Sequence, residues 1–196
     1  MRAVNLVACA AFGLALAFAV ASTPAHSRQS LSPIEELGKA LFFDTDLSTP
    51  PGQSCAACHA PETGFTGPDW AINAGQAVYP GAVRSRAGNR KPPTSAYGGD
   101  SPVLFFDQDE GAWVGGMFWD GRATGWHLGD PLDEQALGPF LNPLEQNMPS
   151  ARQVVRRVAK ASYADLFETV WGPGSLDETP GGVALTYERI GQAIAA

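Results

Sequence analysis

Cys55-Ala56-Ala57-Cys58-His59 is the stretch from which the rest of this chain is best interpreted. Its two thiols can each bond a vinyl group of haem, and the adjoining imidazole can then bind the iron. The cysteines could instead form a disulfide, a thioredoxin-like redox pair or half of a zinc site. Zinc would need two more ligands at matching spacing, and the sequence contains no second Cys or His pair. A thioredoxin-like site usually lies in a βαβ pattern, and none is visible. The motif therefore predicts one covalent haem c with His59 as the iron ligand.

The residues at the start of the chain form a candidate secretory signal. Arg2 precedes an apolar run at residues 6–20, and the small residues at 19–21 suit cleavage. The run is short for a membrane span and lacks charged flanks, so we predict a signal peptide at residues 1–25 and no stable membrane anchor. The third cysteine, Cys9, lies inside this leader. Export predicts a periplasmic location and strengthens the haem assignment.

Composition and periodicity outline the remaining chain, residues 29–196. A net charge of -7 and a pI of about 4.8 argue against a nucleic-acid partner. Capping boxes at Ser32 and Ser150 predict helix starts, and apolar periodicity predicts further helices at residues 132–137, 162–171 and 187–196. The haem motif is expected to begin another helix. Turn-forming residues dominate 61–113, which predicts a long loop. The pattern indicates one mostly α domain.

Several motifs in a fixed order carry a family resemblance. They lie at residues 37–44 (LGKALFFD), 55–59 (CAACH), 61–65 (PETGF), 118–123 (FWDGRA), 134–139 (EQALGP) and 142–145 (NPLE). Together they resemble the N-terminal, peroxidatic haem domain of the bacterial di-haem cytochrome c peroxidase and MauG family. The resemblance covers residues 31–196 and implies a cytochrome c-like haem domain with long loops. Because the last predicted helix has no cap at Ala196, we expect the full-length protein to continue into a second haem c domain.

The resemblance also implies roles for residues around the haem. A carboxylate in a haem pocket can carry a proton between the two oxygens of a peroxide, and Glu145 stands at the family's position for this acid/base group. Without the resemblance, the sequence would also suit a Glu145 that is a solvated residue of the turn after Asn-Pro. Gln135 would orient the peroxide, and Pro139 would shape the distal pocket.

Trp119 and Arg122 stand in another of these motifs. Trp119 matches the family tryptophan that relays electrons between the two haems, although alone it would suit a core tryptophan. Arg122 is expected to pair with a haem propionate, because its planar fork suits carboxylates, or to form a surface ion pair.

The sequence departs from the family pattern in two respects. The residues from 61 to 118 contain no His that could block the distal site, so we expect a site that is open at rest. Lys91 stands where the family has a calcium-binding Asn, with Asn89 displaced, so calcium binding is in doubt. His127 lies in a stretch longer than in the best-known members; we expect an exposed loop residue, with a distal haem ligand as the alternative.

The resemblance implies reduction of hydrogen peroxide with electrons from a small cytochrome c or copper protein. A MauG-like oxidation of an organic or protein substrate is a variant of this chemistry. The competing hypothesis is an electron-transfer cytochrome in which Met117 or Met148 occupies the sixth position of the iron. The sequence leaves open whether the chain forms a homodimer.

Overall fold

Helices dominate the part of the chain that a computed structural model describes, residues 30–76 and 78–196. The predicted signal peptide and Cys9 therefore lie outside the described residues. The described elements are α1 (Pro33–Phe43), α2 (Trp70–Gly75), β1 (Phe105–Asp107), β2 (Ala112–Val114), α3 (Pro131–Leu141), α4 (Ala151–Val158), α5 (Ala164–Trp171) and α6 (Val183–Ala195). Among these residues, no helix is both long and apolar enough to cross a membrane. The prediction of a mostly α fold is confirmed.

The first helix begins as its capping box predicts. The backbone N–H of Ser32 donates to Glu35 Oε2 at 2.6 Å, and the Glu35 N–H reaches Ser32 Oγ at 3.5 Å. This exchange pairs two N–H groups that a helix start leaves without partners. Leu37 and Leu41, four residues apart on one face of α1, are fully buried. The capping box thus starts the helix one turn before the apolar stripe that anchors it to the core.

Helices α1, α3, α4, α5 and α6 surround one hydrophobic core. Glycines let α6 approach two neighbours closely: a Cβ on Gly38 of α1 would overlap the carbonyl oxygen of Ala193, and one on Gly191 would lie 2.5 Å from the Asp133 oxygen of α3. The core consists of Leu37, Leu41, Leu47, Phe140, Met148, Val154, Val155, Val158, Phe167, Ile190 and Ala193. The core thus fixes α3, the helix from which the Glu145 turn emerges.

Several helix boundaries differ from the sequence prediction, and two of them differ by four residues. Helix α3 continues past residue 137 to Leu141, and α6 begins at Val183 rather than at residue 187. The haem motif was expected to begin an α-helix, but it forms only a short 3-10 turn, Cys55–Ala57. The reason is local: Ala60 precedes Pro61, and the proline ring disfavours helical backbone there, so Ala60 is extended with ψ 132°.

The long segment between the haem motif and α3 is irregular, as its turn-forming residues predict. It contains two 3-10 turns (Pro61–Thr63 and Gly98–Asp100), the short helix α2, and an antiparallel hairpin that the sequence did not predict. The hairpin pairs Phe106 with Trp113, whose rings meet edge to face at 5.6 Å. Each strand has only three residues, too few for an alternating pattern to stand out.

Candidate functional site

The imidazole of His59 is held in one orientation by the loop that follows it. Its Nδ1 lies 3.1 Å from the carbonyl oxygen of Phe65. That loop is closed by bonds from the Ala60 N–H to Thr66 O (3.0 Å) and from the Phe65 N–H to Ala60 O (2.8 Å). A proton on Nδ1 bonded to a carbonyl leaves Nε2 free as a metal ligand. Burial lowers the pKa of His59, which favours the neutral form that binds iron.

The two cysteines of the motif are free thiols on the same 3-10 turn, and both are partly exposed. Burial raises the pKa of Cys55 to about 12 and that of Cys58 to about 11, so both are protonated at neutral pH. The Cys58 sulfur accepts a hydrogen bond from Gln53 Nε2 at 3.4 Å. Two free thiols and an oriented imidazole within five residues are the donor set for covalent haem.

Other observations also bear on what these residues could hold. No group of three His, Cys, Asp or Glu side chains that could hold a metal ion occurs within residues 30–76 and 78–196. The side chain of Gln53, only 4% exposed, leaves its Oε1 without a hydrogen-bond partner in that same part of the chain. A polar atom left unpaired beside the thiols suits a site that is completed by a further group. The residues present therefore fit a haem, held by Cys55, Cys58 and His59.

Glu145 lies in the turn after α3, and its carboxyl is held in place. Asn142 Nδ2 donates to Glu145 Oε1 at 2.9 Å. Burial raises the pKa of Glu145, and the Asn142 bond and the charge of Arg122 only partly oppose this. The charge of Glu145 in turn raises the pKa of both Cys55 and Cys58. The charge of the Glu145 carboxyl thus acts on the two thiols of the motif.

Gln135 and Pro139 lie on the helix that leads to this turn. They are four residues apart on α3, so their side chains project from the same face. Pro139 has no N–H to donate to the Gln135 carbonyl, but its own carbonyl accepts the N–H of Asn142 (3.3 Å) and of Gln146 (3.2 Å). These bonds fold the Glu145 turn back onto the end of α3. Both residues are half-buried.

The turn that carries Trp119 packs against the same helix through its neighbour Phe118. The Phe118 ring lies over Gly138, where an added Cβ would come within 2.7 Å of it, and the Arg122 guanidinium lies 3.7 Å from the ring centre. Arg122 also pairs with Asp120 at 2.8 Å on the surface. Trp119 itself is 78% exposed, so it is a surface residue of this chain and not a core tryptophan.

The remaining candidates lie elsewhere. His127 is exposed, as expected of a loop residue, and pairs with Glu188 of α6 at 3.0 Å. Met148 is 3% exposed within the hydrophobic core, and its sulfur accepts a hydrogen bond from Thr49 Oγ1 at 3.4 Å. Met117 is half-buried against Gly98. Lys91 and Asn89, at the doubtful calcium position, are exposed loop residues.

Sequence reasoning missed several residues that support the site. Gln53 contacts Cys58, the Phe65 carbonyl orients His59, and the Asn142 side chain holds Glu145. The charge of Arg84, on the loop at residues 79–88, lowers the pKa of Cys58. The role of Asn142 could have been predicted from the sequence, because an Asn three residues before a Glu in a turn can donate a hydrogen bond to its carboxylate. Gln53 and Phe65 lie only five and six residues from their partners, but neither spacing belongs to a recognised motif, and Arg84 acts across 26 residues.

Comparison with known proteins shows which proteins this chain is similar to. Residues 32–196 match the sequence model of the family described as di-haem cytochrome c peroxidase. The methylamine utilization protein MauG of Paracoccus denitrificans is 38% identical over 166 residues, which cover 84% of this chain and 41% of that protein. The cytochrome c551 peroxidase of Nitrosomonas europaea is 29% identical over 181 residues, which cover 89% of this chain and 43% of that protein.

A solved structure agrees with these sequence matches. The diheme peroxidase BthA from Burkholderia thailandensis superposes with a TM-score of 0.70 at 30% identity, covering 85% of this chain and 40% of that one. The chain therefore spans about two fifths of the length of these relatives. The predicted cytochrome c-like fold is confirmed, and with it the predicted family: this chain belongs to the di-haem cytochrome c peroxidase family.

Proposed function

We propose that this chain is the peroxidatic haem c domain of a periplasmic enzyme that reduces hydrogen peroxide to water. Electrons would come from a small cytochrome c or copper protein through a second haem domain of the full-length protein. Membership of a di-haem family, with one haem motif in this chain, supports the two-domain arrangement. The observation that carries the function is the half-buried Glu145 carboxyl, which Asn142 holds and whose charge acts on Cys55 and Cys58.

The chemistry divides between the haem and the protein. When bound, haem supplies the iron that accepts a peroxide oxygen and the electrons that reduce it. His59 would bind the iron through Nε2 while its Nδ1 stays bonded to Phe65. Glu145 would take the proton from one peroxide oxygen and deliver it to the other, so that the departing oxygen leaves as water. Its raised pKa suits a group that must both accept and release a proton near neutral pH.

Three other residues would assist this reaction. Gln135 would hydrogen-bond the peroxide from α3, and Pro139 would limit the space beside it on the same helix face. Arg122 would either pair with a haem propionate or stay with Asp120, as it does here. Its positive charge already acts on Glu145, so it also limits how far the pKa of that carboxyl rises.

Replacement of Glu145 by Gln tests the function. Glutamine keeps the size and the bond to Asn142 but cannot carry a proton. We expect Glu145→Gln to slow the reaction with peroxide by roughly 10²–10⁴-fold in stopped-flow mixing, with unchanged haem content. Gln135→Ala should slow the reaction with peroxide less, because it removes a group that orients the peroxide but leaves the proton route through Glu145. A Glu145→Gln protein that reacts with peroxide at the parental rate would contradict the proposed role.

A second function is favoured by one specific observation, the 38% identity to MauG. The same site would then oxidise an organic or protein substrate, with peroxide as the oxidant. Product analysis distinguishes the two, because peroxide reduction consumes donor electrons whereas the second function consumes the substrate. The carrier hypothesis with Met148 as the sixth iron ligand is less favoured, because the Met148 sulfur is buried in the core and bonded to Thr49.

A further inference from the structure

The turn that carries Glu145 is not part of a helix, so its position depends on contacts with neighbouring segments. One neighbour is the loop at residues 79–88, where the Ala82 N–H donates to the Glu145 carbonyl at 2.7 Å. The other is the loop before the haem motif, where the Thr49 N–H donates to the Gln146 carbonyl at 2.8 Å. The two bonds hold the backbone of the turn at Glu145 itself and at the residue that follows it.

Asn147 joins all three segments with one side chain. Its Nδ2 donates to the Thr49 carbonyl at 2.7 Å, and its Oδ1 accepts a longer bond from Arg86 Nη1 at 3.5 Å. Its backbone N–H closes the turn onto the Asn142 carbonyl at 2.9 Å. Asn142 is the residue whose side chain holds the Glu145 carboxyl. The amide group thus links the acid/base turn to both neighbouring loops.

The backbone at this position also favours asparagine. Asn147 has φ +55°, in the left-handed region that Asn enters more readily than most residues other than Gly. Glycine would tolerate the angle but supplies no side-chain bond, and aspartate tolerates it but cannot donate to Thr49. Asparagine therefore combines a donor, an acceptor and this backbone angle.

The Thr49 side of this junction continues to the haem-attachment thiols. Ser48, the residue before Thr49, accepts the Gln53 N–H on its Oγ at 2.9 Å, and Gln53 Nε2 donates to Cys58. Arg157 of α4 fixes the same loop, since it donates to the Ser48 carbonyl at 2.5 Å and to Thr49 Oγ1 at 3.1 Å. Glu145 and Cys58 are therefore connected through Asn147, Thr49 and Gln53.

We propose that Asn147 is a positioning residue that sets the distance between the Glu145 carboxyl and the haem held by Cys55, Cys58 and His59. The proposal rests on the proton-transfer role proposed for Glu145. Asn147 would not touch the peroxide; it would act by holding the turn against the loop that leads into the haem motif. A small misplacement of a reacting group is costly, up to about 10²-fold for an ångström.

A double-mutant cycle in the haem-loaded full-length protein tests this proposal. Asn147→Asp keeps the acceptor and the backbone angle but loses the donor, and Asn147→Gly serves as a second variant if Asn147→Asp fails to load haem. Arg86→Met is the matched control, because it removes only the longer bond. We expect either Asn147 variant to slow the peroxide reaction by up to about 10²-fold in the parent, and by much less in the Glu145→Gln background. Arg86→Met should react near the parental rate.

Hydrogen–deuterium exchange gives a readout that does not depend on activity. Loss of the Asn147 amide should speed exchange in residues 45–53 and 142–148 together, while α4 stays protected. An Asn147→Gly variant with the parental peroxide rate or without faster exchange in these loops overturns the proposal. The proposal is also overturned if the Asn147 variants slow the peroxide reaction by the same factor in the parent and in the Glu145→Gln background. In that case the function proposed for Glu145 still stands. A Glu145→Gln protein with the parental rate overturns both.

Discussion

Glu145 occupies an environment that opposes its ionisation. Burial is the largest influence and raises the pKa of this carboxyl above its usual value of 4.5, against the Asn142 hydrogen bond and the Arg122 charge. An acidic group whose pKa is raised by folding lowers the stability of the folded state at every pH at which the group is charged. Below its usual pKa the carboxyl is protonated whether folded or unfolded, and this cost disappears. The same burial that suits proton transfer is therefore a stability cost at neutral pH.

This cost leads to a prediction about thermal unfolding. Glu145→Gln should be more stable than the parent at about pH 7 and nearly equal to it at about pH 4, because only the carboxylate form is penalised by burial. The gain should grow as pH rises from 4.5 through the raised pKa. Calorimetry of both proteins across this range measures it. Glu178→Gln, a surface control in an ion pair with Arg156, should show no such gain at neutral pH; an equal melting difference at both pH values for Glu145→Gln would contradict the burial argument.

The cysteines allow an equally direct test. Cys55→Ala or Cys58→Ala removes one thioether, so covalently retained haem should fall strongly, and the double variant should retain none. Haem staining of a denaturing gel measures retention, because only bonded haem survives denaturation. Ala56→Ser, between the two thiols, is the matched control and should stain like the parent. Undiminished staining of the double variant would show that the cysteines do not hold haem.

At the scale of elements, close backbone contact between two loops supports the site. A Cβ on Gly81 would lie 2.6 Å from the Glu145 carbonyl oxygen and would overlap that of Leu144. We therefore expect Gly81→Ala to displace the Glu145 turn and to cost about 1–3 kcal/mol in the free energy of unfolding. Denaturant unfolding measures this. Gly99→Ala is the control, since nothing lies within 4 Å of its added Cβ, and its effect should stay within about 0.5 kcal/mol. Equal stability of the two variants would contradict the tight contact.

The elements also show what the sequence can and cannot reveal. The starts of α1 and α4 were predictable because Ser32 and Ser150 cap them with local side-chain bonds. The haem motif was expected to begin another helix and forms only a three-residue 3-10 turn, because the proline at 61 keeps Ala60 extended. Asn147 carried no signal, since its two side-chain bonds reach residues 61 and 98 positions away. Contacts of that range depend on the folded chain.

At the scale of the whole molecule, the described part of this chain presents aromatic side chains on its surface. Trp119 is 78% exposed, Trp126 is 64% exposed and Trp113 is 61% exposed. Trp113 and Trp126 contact each other, with ring centres 6.4 Å apart, and the Trp126 indole donates to the Leu104 carbonyl at 2.8 Å. Trp119 is instead carried by the Phe118 turn that packs on α3. Trp119 and Trp126 thus lie on different segments, although both segments contact α3: the first through Phe118, the second through the His127 N–H, which donates to Glu134 at 2.8 Å.

This difference makes the relay role of Trp119 testable in the full-length protein. Trp119→Phe should lower steady-state peroxide turnover driven by the electron donor, because phenylalanine is much harder to oxidise, while haem content and folding stay unchanged. Trp126→Phe is the matched control: it removes an indole of similar exposure that is carried by a different segment. Donor oxidation followed by absorbance measures turnover. If the Trp126 variant slows turnover as much as the Trp119 variant, general surface damage explains the loss. If neither slows it, electrons reach the peroxidatic haem by another route, and Trp119 is only an exposed residue of the turn that Phe118 anchors to α3.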